Sequence, residues 1–452
     1  MQVGQFTVRV LISLGILLLS WASSQINQVK LPNSLSLKDE KGIALKDSNG
    51  NDLSVTSTQP QSELVIDSST TLCLTDAFET PGQAWRVNIS AGGVTLLAGG
   101  KPKVTPYDRG TALGLGQGLA SPQQVSVLVI DKFQRTTFPL QETTGLLLQL
   151  SLNHGALVVA HLKEILRAAS NNKVHVETLP IDQLPSTEEY GQVTTTALLD
   201  KLKVVLGKPE MNADRPLVIN MSIAILPCRL QSRYFELADA AEHLNPPRRL
   251  PFRQFLDEIG TLNGHPNDEG YIRSIIAPSG FQDPLSKWLM EQRQVWAKQG
   301  HPFLVVAASG NYALTFQTMP AAWPGVVGVA ASSVLKPAIK TDWSDVGDVL
   351  DIGEWYTFGN AILNPAFQNI VTATGTNGSG TPRPFLVKQN DFAYRGTSFA
   401  APTVTAALAV TISKYPSSPC FNPQTGVFGG SISPASTVPG NSRFAALVQT
   451  CR

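Results

Sequence analysis

Apolar and polar residues follow two alternating patterns between about residue 121 and residue 415. Short apolar runs are separated by longer segments in which apolar residues recur at helical spacing. The short runs predict strands at Val125–Ile130, Lys173–Leu179, Leu217–Met221, Phe303–Ala308 and Val326–Ala330. The longer segments predict helices at 154–168, 193–206, 283–299 and 398–413. Strands that alternate with helices indicate an α/β fold with a mostly parallel central sheet and helices on both faces.

The chain on either side of this region has a different character. Residues 25 to about 120 are polar and rich in turns, with a hairpin signal at Asn49-Gly50 and no helical period. We interpret them as a β-rich N-terminal region. Inside the α/β region, residues 227–283 are rich in Pro, Arg and acidic residues. This composition favours a solvated loop over a partner-binding element. Residues 416–452 have the composition of a loop-like tail.

The first 24 residues have the order of a secretory signal. Arg9 precedes an apolar run from Val10 to Trp21, and small residues follow at Ala22–Ser24. The run is shorter than the roughly 20 residues that span a bilayer, so we favour a signal peptide over an uncleaved membrane anchor. We therefore expect a secreted or periplasmic protein that begins near Gln25 and has no stable membrane association.

Composition narrows the function further. Hydrophobic residues make up 42% of the 452 residues and charged residues 15%, with a net charge of +1. A nucleic-acid-binding protein normally has a strong basic excess, so we expect no nucleic-acid partner. Export favours disulfides among the four cysteines, although free thiols are the alternative. Of the three possible connectivities, we favour Cys420 with Cys451, which leaves Cys73 to pair with Cys228.

The segment Gly396-Thr397-Ser398 with Ala400-Ala401-Pro402 is the sharpest candidate for chemistry. A serine in the first turn of a helix has a backbone N–H without an intrahelical partner, and that N–H can face a developing oxyanion. Pro402 falls near the start of the predicted helix. Taken alone, the segment is more simply explained as a helix start with Ser398 as its N-cap.

Other segments of the sequence favour a catalytic role for Ser398 over a simple helix start. They occur in a fixed order along the chain: Val127–Asp131, Asn153–Val158, Val218–Ser222, Ala307–Asn311 and Pro320–Val329. Together with the Ser398 segment they resemble the motifs of the subtilisin-like serine proteases, the subtilase or peptidase S8 family. The resemblance covers residues 121–415 and implies a three-layer α/β fold.

The resemblance implies a serine endopeptidase that acts on polypeptides through an acyl-enzyme. Ser398 would be the nucleophile and His154 its base, while Asp131 would hold the histidine tautomer. Asn311 would donate a hydrogen bond to the oxyanion. The peptide would pair as an extra strand in the cleft. The residues that would line that cleft and the first specificity pocket are Ser222, Ile223, Ala224, Ala308, Ser309 and Gly310.

The resemblance also bears on cofactors and on the N-terminal region. We expect no cofactor; the family uses structural calcium, but the sequence contains no readable set of calcium ligands. Family precursors carry a propeptide that acts in cis, and residues 25–120 have a suitable length. Their lack of a two-helix pattern, and Cys73 within them, equally favour a retained domain.

Four residues depart from the family pattern: Lys132 and Phe133 after the aspartate, Ala156 after His-Gly, and Thr403 after the motif proline. These departures motivate two alternatives, a catalytically inactive subtilase-like binding protein and a relative that cyclises or transfers peptides.

Overall fold

The structure is a computed structural model. It describes residues 27–39, 42–58, 63–67, 69–76, 87–90, 93–96, 123–140, 147–169, 173–187, 189, 191–244, 248, 250–278, 283–333, 336–358, 371–376, 382–385 and 391–414. The predicted signal peptide, the tail 416–452 and the expected Cys420–Cys451 pair lie outside the described residues.

The strands of the described part are β1 (Asn27–Lys30), β2 (Ser34–Ser36), β3 (Ser54–Thr56), β4 (Glu63–Ile66), β5 (Leu72–Asp76), β6 (Val87–Ser90), β7 (Gly93–Leu96), β8 (Val125–Asp131), β9 (Arg135–Leu140), β10 (Leu147–Asn153), β11 (Val174–Pro180), β12 (Leu217–Met221), β13 (Ile223–Pro227), β14 (Phe303–Ala308), β15 (Val326–Ser333), β16 (Lys336–Lys340), β17 (Val349–Phe358), β18 (Val371–Thr376), β19 (Pro382–Phe385) and β20 (Asp391–Arg395). The α-helices there are α1 (His154–Ala168), α2 (Thr195–Val205), α3 (Cys228–Glu242), α4 (Phe252–Leu262), α5 (Glu269–Ile276), α6 (Pro284–Lys298) and α7 (Thr397–Lys414). The five strands and four helices predicted between residues 121 and 415 are confirmed, with ends that differ by a few residues.

The central sheet follows the order β11-β8-β12-β14-β15-β17-β20, and β16 pairs with β15. Strands β11, β8, β12, β14, β15 and β17 are parallel, while β20 and β16 are antiparallel to their neighbours. The carboxyl ends of parallel strands meet at one edge of a sheet, which is where such sheets bind ligands. Asp131, Ser222 and Ser309 all lie at that edge, because they end or directly follow β8, β12 and β14.

Alternate residues of the central strands pack into two separate cores. In β8, Val127 and Val129 join one core with α1 and α7, and Leu128 and Ile130 join the other with α2, α3 and α6. A strand buried on both faces has a nearly continuous apolar run, as β8 does from Val127 to Ile130. The arrangement is the expected three-layer α/β fold.

Helix α7 is buried along its whole length between the sheet and α1. Half of its 18 residues are Ala, Val, Leu or Ile and all 18 are buried, and a helix buried on every side is stable only inside a core. Its buried hydroxyls have partners: Thr411 donates to the carbonyl of Ala407 at 2.7 Å, and Ser413 donates to that of Gln123 at 2.7 Å. The helix that carries Ser398 is therefore one of the most tightly surrounded elements of the molecule.

The prediction of a solvated loop at 227–283 is wrong, because the structure has α3, α4 and α5 there. Their apolar residues recur at helical spacing and are buried, Phe255 and Ile259 completely. Pro227 and Pro251 immediately precede α3 and α4, where a missing N–H removes no helical hydrogen bond. Two of the prolines that suggested a loop thus mark helix starts.

Part of the N-terminal region packs against this insertion. Val29, Leu35 and Val55 join the same core as α3 and α4. Strand β5 pairs with β13, and a disulfide joins Cys73 to Cys228, as expected. All elements of the described N-terminal residues are strands, which agrees with the β-rich prediction.

A second sheet was not predicted. It is antiparallel, in the order β19-β18-β10-β9, and β10 leads directly into α1. No helix within the described ranges is both long and apolar enough to cross a membrane.

Candidate active site

Asp131 and His154 meet at the carboxyl edge of the central sheet. Asp131 is the last residue of β8 and is fully buried, and its Oδ1 lies 2.7 Å from His154 Nδ1. The same oxygen accepts the backbone N–H of Lys132 at 2.7 Å. His154 opens α1, and the N-cap Asn153 accepts the N–H of Ala156 at 2.8 Å. A histidine in this position is held by a cap on one side and a carboxylate on the other.

Ser398 completes this line of side chains. His154 Nε2 lies 3.0 Å from Ser398 Oγ, across a sequence separation of 244 residues. The ring of Phe399 packs against the imidazole, with a centroid separation of 5.3 Å. Ser398 is the second residue of α7 and has no exposed surface, and His154 is only 7% exposed. The site is therefore a buried row of carboxylate, imidazole and hydroxyl.

A further row of hydrogen bonds lies beneath the nucleophile and was missed by sequence reasoning. Thr405 Oγ1 donates to Asn220 Oδ1 at 3.1 Å, and Asn220 Nδ2 donates to Ser222 Oγ at 2.9 Å. Ser222 Oγ in turn donates to the carbonyl of Ser398 at 2.9 Å. These groups are all buried, so their bonds tie the start of α7 to the end of β12. The available signal was a polar asparagine inside an otherwise apolar strand.

Asn311 is oriented by Thr397, the residue before Ser398. Asn311 Oδ1 accepts from the backbone N–H of Thr397 at 2.9 Å and from its hydroxyl at 3.0 Å. The amide Nδ2 of Asn311 is buried and has no hydrogen-bond partner. An unpaired buried donor is costly in a folded protein, so its presence calls for an explanation. With Oδ1 engaged twice, the side chain presents a donor that is free to bind an oxygen.

The predicted substrate-lining residues fall into two groups. Ala308 ends β14, Ser309 and Gly310 follow it, and Gly310 N donates to Thr397 Oγ1 at 3.2 Å, so these residues adjoin the serine. Ser222 also adjoins it, as described above. The edge of Ile223 and Ala224, however, is already paired, with Asp76 and Thr75 of β5 respectively. The strand edge predicted to bind substrate is therefore paired with the protein's own N-terminal region.

The departures from the family pattern are accommodated in the packing. Gly155 N donates to the carbonyl of Lys132 at 2.8 Å, and a methyl group on Gly155 would lie 2.8 Å from the Phe133 ring. Thr403 contacts His161 of α1, whose Nε2 lies 2.9 Å from Thr403 Oγ1. None of these substitutions separates His154 from Asp131 or Ser398.

The described residues contain no group of three or more His, Cys, Asp and Glu side chains that could hold a metal ion. The Asp47 carboxylate, in a sequence that loosely resembles a calcium loop, instead accepts the N–H groups of Asn49 and Asn51, each at 2.8 Å. That segment is a turn, as its composition favours.

Comparison with known proteins identifies the family. The family model described as the subtilase family, peptidase S8, matches residues 190–432. The chain belongs to the subtilase family. This family consists of serine proteases, so membership supports a serine-protease type of function. The matched span contains Asn311 and Ser398 but begins after Asp131 and His154; the tertiary structure brings those two residues to the site.

Two solved structures of proteases are similar to this subtilase. The prenylagaramide maturation protease PagA is 14% identical, with 77% of this chain and 99% of that chain covered and a TM-score of 0.36. A mutant of the protease domain of PatA is 16% identical, with 66% of this chain and 82% of that chain covered and a TM-score of 0.31. A comparison with curated proteins finds no match.

Proposed function

We propose that this subtilase is a serine endopeptidase that hydrolyses peptide bonds through an acyl-enzyme. The observation that carries the proposal is the buried row Asp131–His154–Ser398, with side-chain separations of 2.7 and 3.0 Å. A serine hydroxyl is a weak nucleophile until a base within hydrogen-bond reach removes its proton. Burial strengthens the electrostatic part of each contact.

The proposed reaction assigns a role to each of these groups. His154 Nε2 takes the Ser398 proton as Oγ attacks the peptide carbonyl, and Asp131 stabilises the resulting imidazolium through Nδ1. The unpartnered Nδ2 of Asn311 donates to the oxyanion of the tetrahedral intermediate. His154 then gives its proton to the leaving amine, and a water molecule repeats the sequence on the acyl-enzyme. This chemistry requires a polypeptide substrate and no cofactor.

Labelling with a fluorophosphonate probe, together with casein cleavage, tests the proposal. We expect wild-type protein to be labelled and to cleave casein, and Ser398→Ala to do neither. Ser274→Ala, which changes a serine of α5, is the matched control and should behave as wild type. If the wild type is labelled no more strongly than Ser398→Ala, the proposal is refuted. The alternative of a catalytically inactive binding protein then remains. If the wild type is labelled by the probe but mass spectrometry detects ligated or cyclic peptide products, the peptide-transferring alternative is favoured instead.

We propose further that the N-terminal region acts in cis on the cleft. In this family the substrate would pair as a strand along Ile223 and Ala224, and β5 holds that edge. The Cys73–Cys228 disulfide supports a tethered role, because a cut after β5 would leave the segment attached. A tether holds a segment at an effective concentration of the order of millimolar for a short linker.

Gel analysis of the active protein tests this tether. If the region is cut, wild type should migrate as one species without reductant and as two with it, whereas the Cys73→Ser/Cys228→Ser double variant should give two in both cases. The double variant should also cleave a peptide with a lower apparent KM, since the competing strand can leave. Equal KM values would contradict the proposal. An active protein that starts near Gln25 and has no internal cut would show that the region is a retained domain.

We propose export to the secreted or periplasmic space. The apolar run at Val10–Trp21 and the disulfide both support an oxidising compartment. N-terminal sequencing of protein from the medium or periplasm tests this: a chain still beginning at Met1 in the cell fraction would contradict it.

A further inference from the structure

Asp345 is a buried carboxyl group that the proposed reaction does not use. It lies between β16 and β17 and has no exposed surface. Its Oδ1 accepts the backbone N–H of Tyr312 at 3.0 Å and that of Leu314 at 2.8 Å. These two residues lie just after Asn311, so the carboxyl group fixes the backbone on the C-terminal side of the oxyanion donor.

The backbone of Asp345 fixes the other side. Its N–H donates to the carbonyl of Gly310 at 3.0 Å, and its carbonyl accepts from Ser309 Oγ at 3.3 Å. Ala313 N also donates to the carbonyl of Trp343 at 3.1 Å. The segment 309–314 is therefore held at five points by residues 343–345.

This segment needs such support because its backbone is strained. Gly310 has φ +116°, and Ala313, which has a side chain, has φ +59°. A non-glycine residue at positive φ is strained and persists only where its surroundings hold it, as they do at Ala313. The Asp345 carboxyl also packs against Gly310 so closely that a methyl group there would overlap Oδ2. Asp345 thus occupies space that only a glycine neighbour leaves open.

We propose that Asp345 is a positioning residue that fixes the backbone on both sides of Asn311 and so aims the Asn311 amide at the oxyanion. The role rests on the proposed function. Thr397 orients the Asn311 side chain, and Asp345 sets the backbone from which that side chain extends. The two contacts are complementary, since a side-chain bond alone cannot fix an amide whose backbone moves.

Burial raises the pKa of Asp345 well above its usual range, against the opposing hydrogen bonds to Leu314 and Tyr312 and the attraction of Lys340 and Arg253. Oδ2 of Asp345 is buried without a hydrogen-bond partner, which a neutral oxygen tolerates far better than a charged one. An asparagine at this position would keep an oxygen acceptor for the N–H groups of Tyr312 and Leu314.

Two substitutions with the same branched side-chain shape separate the proposal from a general loss of packing. Asp345→Asn keeps an acceptor for Tyr312 and Leu314, whereas Asp345→Leu removes it. We expect Asp345→Leu to lower kcat towards the loss caused by Asn311→Ala, about 10²–10³-fold for one oxyanion donor, with little change in KM. Asp345→Asn should stay within a few-fold of wild type at pH 7. Asp348→Leu is the matched control, because Asp348 bonds Gly328 instead of the residues beside Asn311.

A double variant and amide exchange decide the outcome. The double variant Asp345→Leu/Asn311→Ala should have the same kcat as Asn311→Ala alone, because both substitutions remove the same oxyanion donor. If the fold-losses in kcat of the two single variants multiply in the double variant, the proposal is overturned. Hydrogen exchange over residues 309–314 should accelerate in Asp345→Leu and stay slow in Asp345→Asn. Unchanged exchange in Asp345→Leu, or faster exchange with wild-type kcat, would also overturn it. If wild type cleaves nothing, the proposed function fails, and the exchange measurement still decides whether Asp345 holds the segment.

Discussion

His161 gives the structure a specific dependence of stability on pH. It lies on α1, seven positions after His154, and is fully buried, with Nε2 2.9 Å from Thr403 Oγ1 and the Phe399 ring 6.5 Å away. Burial disfavours the imidazolium and lowers the pKa of His161 to about 3. The bond to Thr403 joins the helix that carries His154 to the helix that carries Ser398.

The sign and size of the effect follow from linkage. The unfolded chain protonates this imidazole near pH 6.5 and the folded chain only near pH 3, so the unfolded state binds more protons between those values. The free energy of unfolding therefore falls as the pH drops below about 6.5. From pH 7 to pH 5 the loss is about 2 kcal/mol, at 1.36 kcal/mol for each full unit of pKa difference crossed. Over that range the result depends almost wholly on the unfolded-state pKa.

Urea unfolding of wild type and His161→Gln at pH 7 and pH 5 measures this contribution. Glutamine does not titrate and can still bond Thr403. We expect wild type to lose about 2 kcal/mol more than the variant over that interval, with both unfolding slopes unchanged. His243→Gln is the control: His243 is exposed, and hydrogen bonding and charge from Asp239 raise its pKa, so its contribution has the opposite sign. Equal losses in wild type and His161→Gln would refute the reasoning.

Two further predictions concern stability. Gly310→Ala should lower the free energy of unfolding by at least about 2 kcal/mol, because an L residue is strained at φ +116° and its methyl group would overlap Asp345; an unchanged urea midpoint would contradict this. The Cys73→Ser/Cys228→Ser variant should lose about 5 kcal/mol, since the disulfide closes a loop with a sequence separation of 155; a midpoint equal to that of the oxidised wild type would show that the unfolded chain gains no freedom.

The sequence by itself determined the layered α/β architecture. An apolar strand such as Val125–Ile130 is stable only when both of its faces are buried, which places it in the centre of the sheet. An amphipathic helix such as 154–168 is stable when its apolar face packs on that sheet, so the spacing of apolar residues predicts the layer in which each element lies. The order of the motif segments, through their resemblance to the subtilases, also assigned Asp131, His154, Asn311 and Ser398 as candidates.

The sequence was less informative where the signal was compositional. Residues 227–283 have the polar composition of a loop, yet α3, α4 and α5 form there because their apolar residues share a face and find a core to bury it in. The N-terminal strands β1 to β4 complete that core from far away in sequence. The composition of a segment does not show whether its apolar residues lie on one face of a helix, so it did not reveal these helices.

Only the tertiary structure decided how the site is assembled. The contact between His154 and Ser398 spans 244 residues, and β5 lies along Ile223 and Ala224 through pairing that no local pattern encodes. Asp345, Asn220 and Thr397 likewise matter through partners distant in sequence. Local period sets which face of an element is buried, but the identity of the neighbour on that face depends on how all the elements pack together.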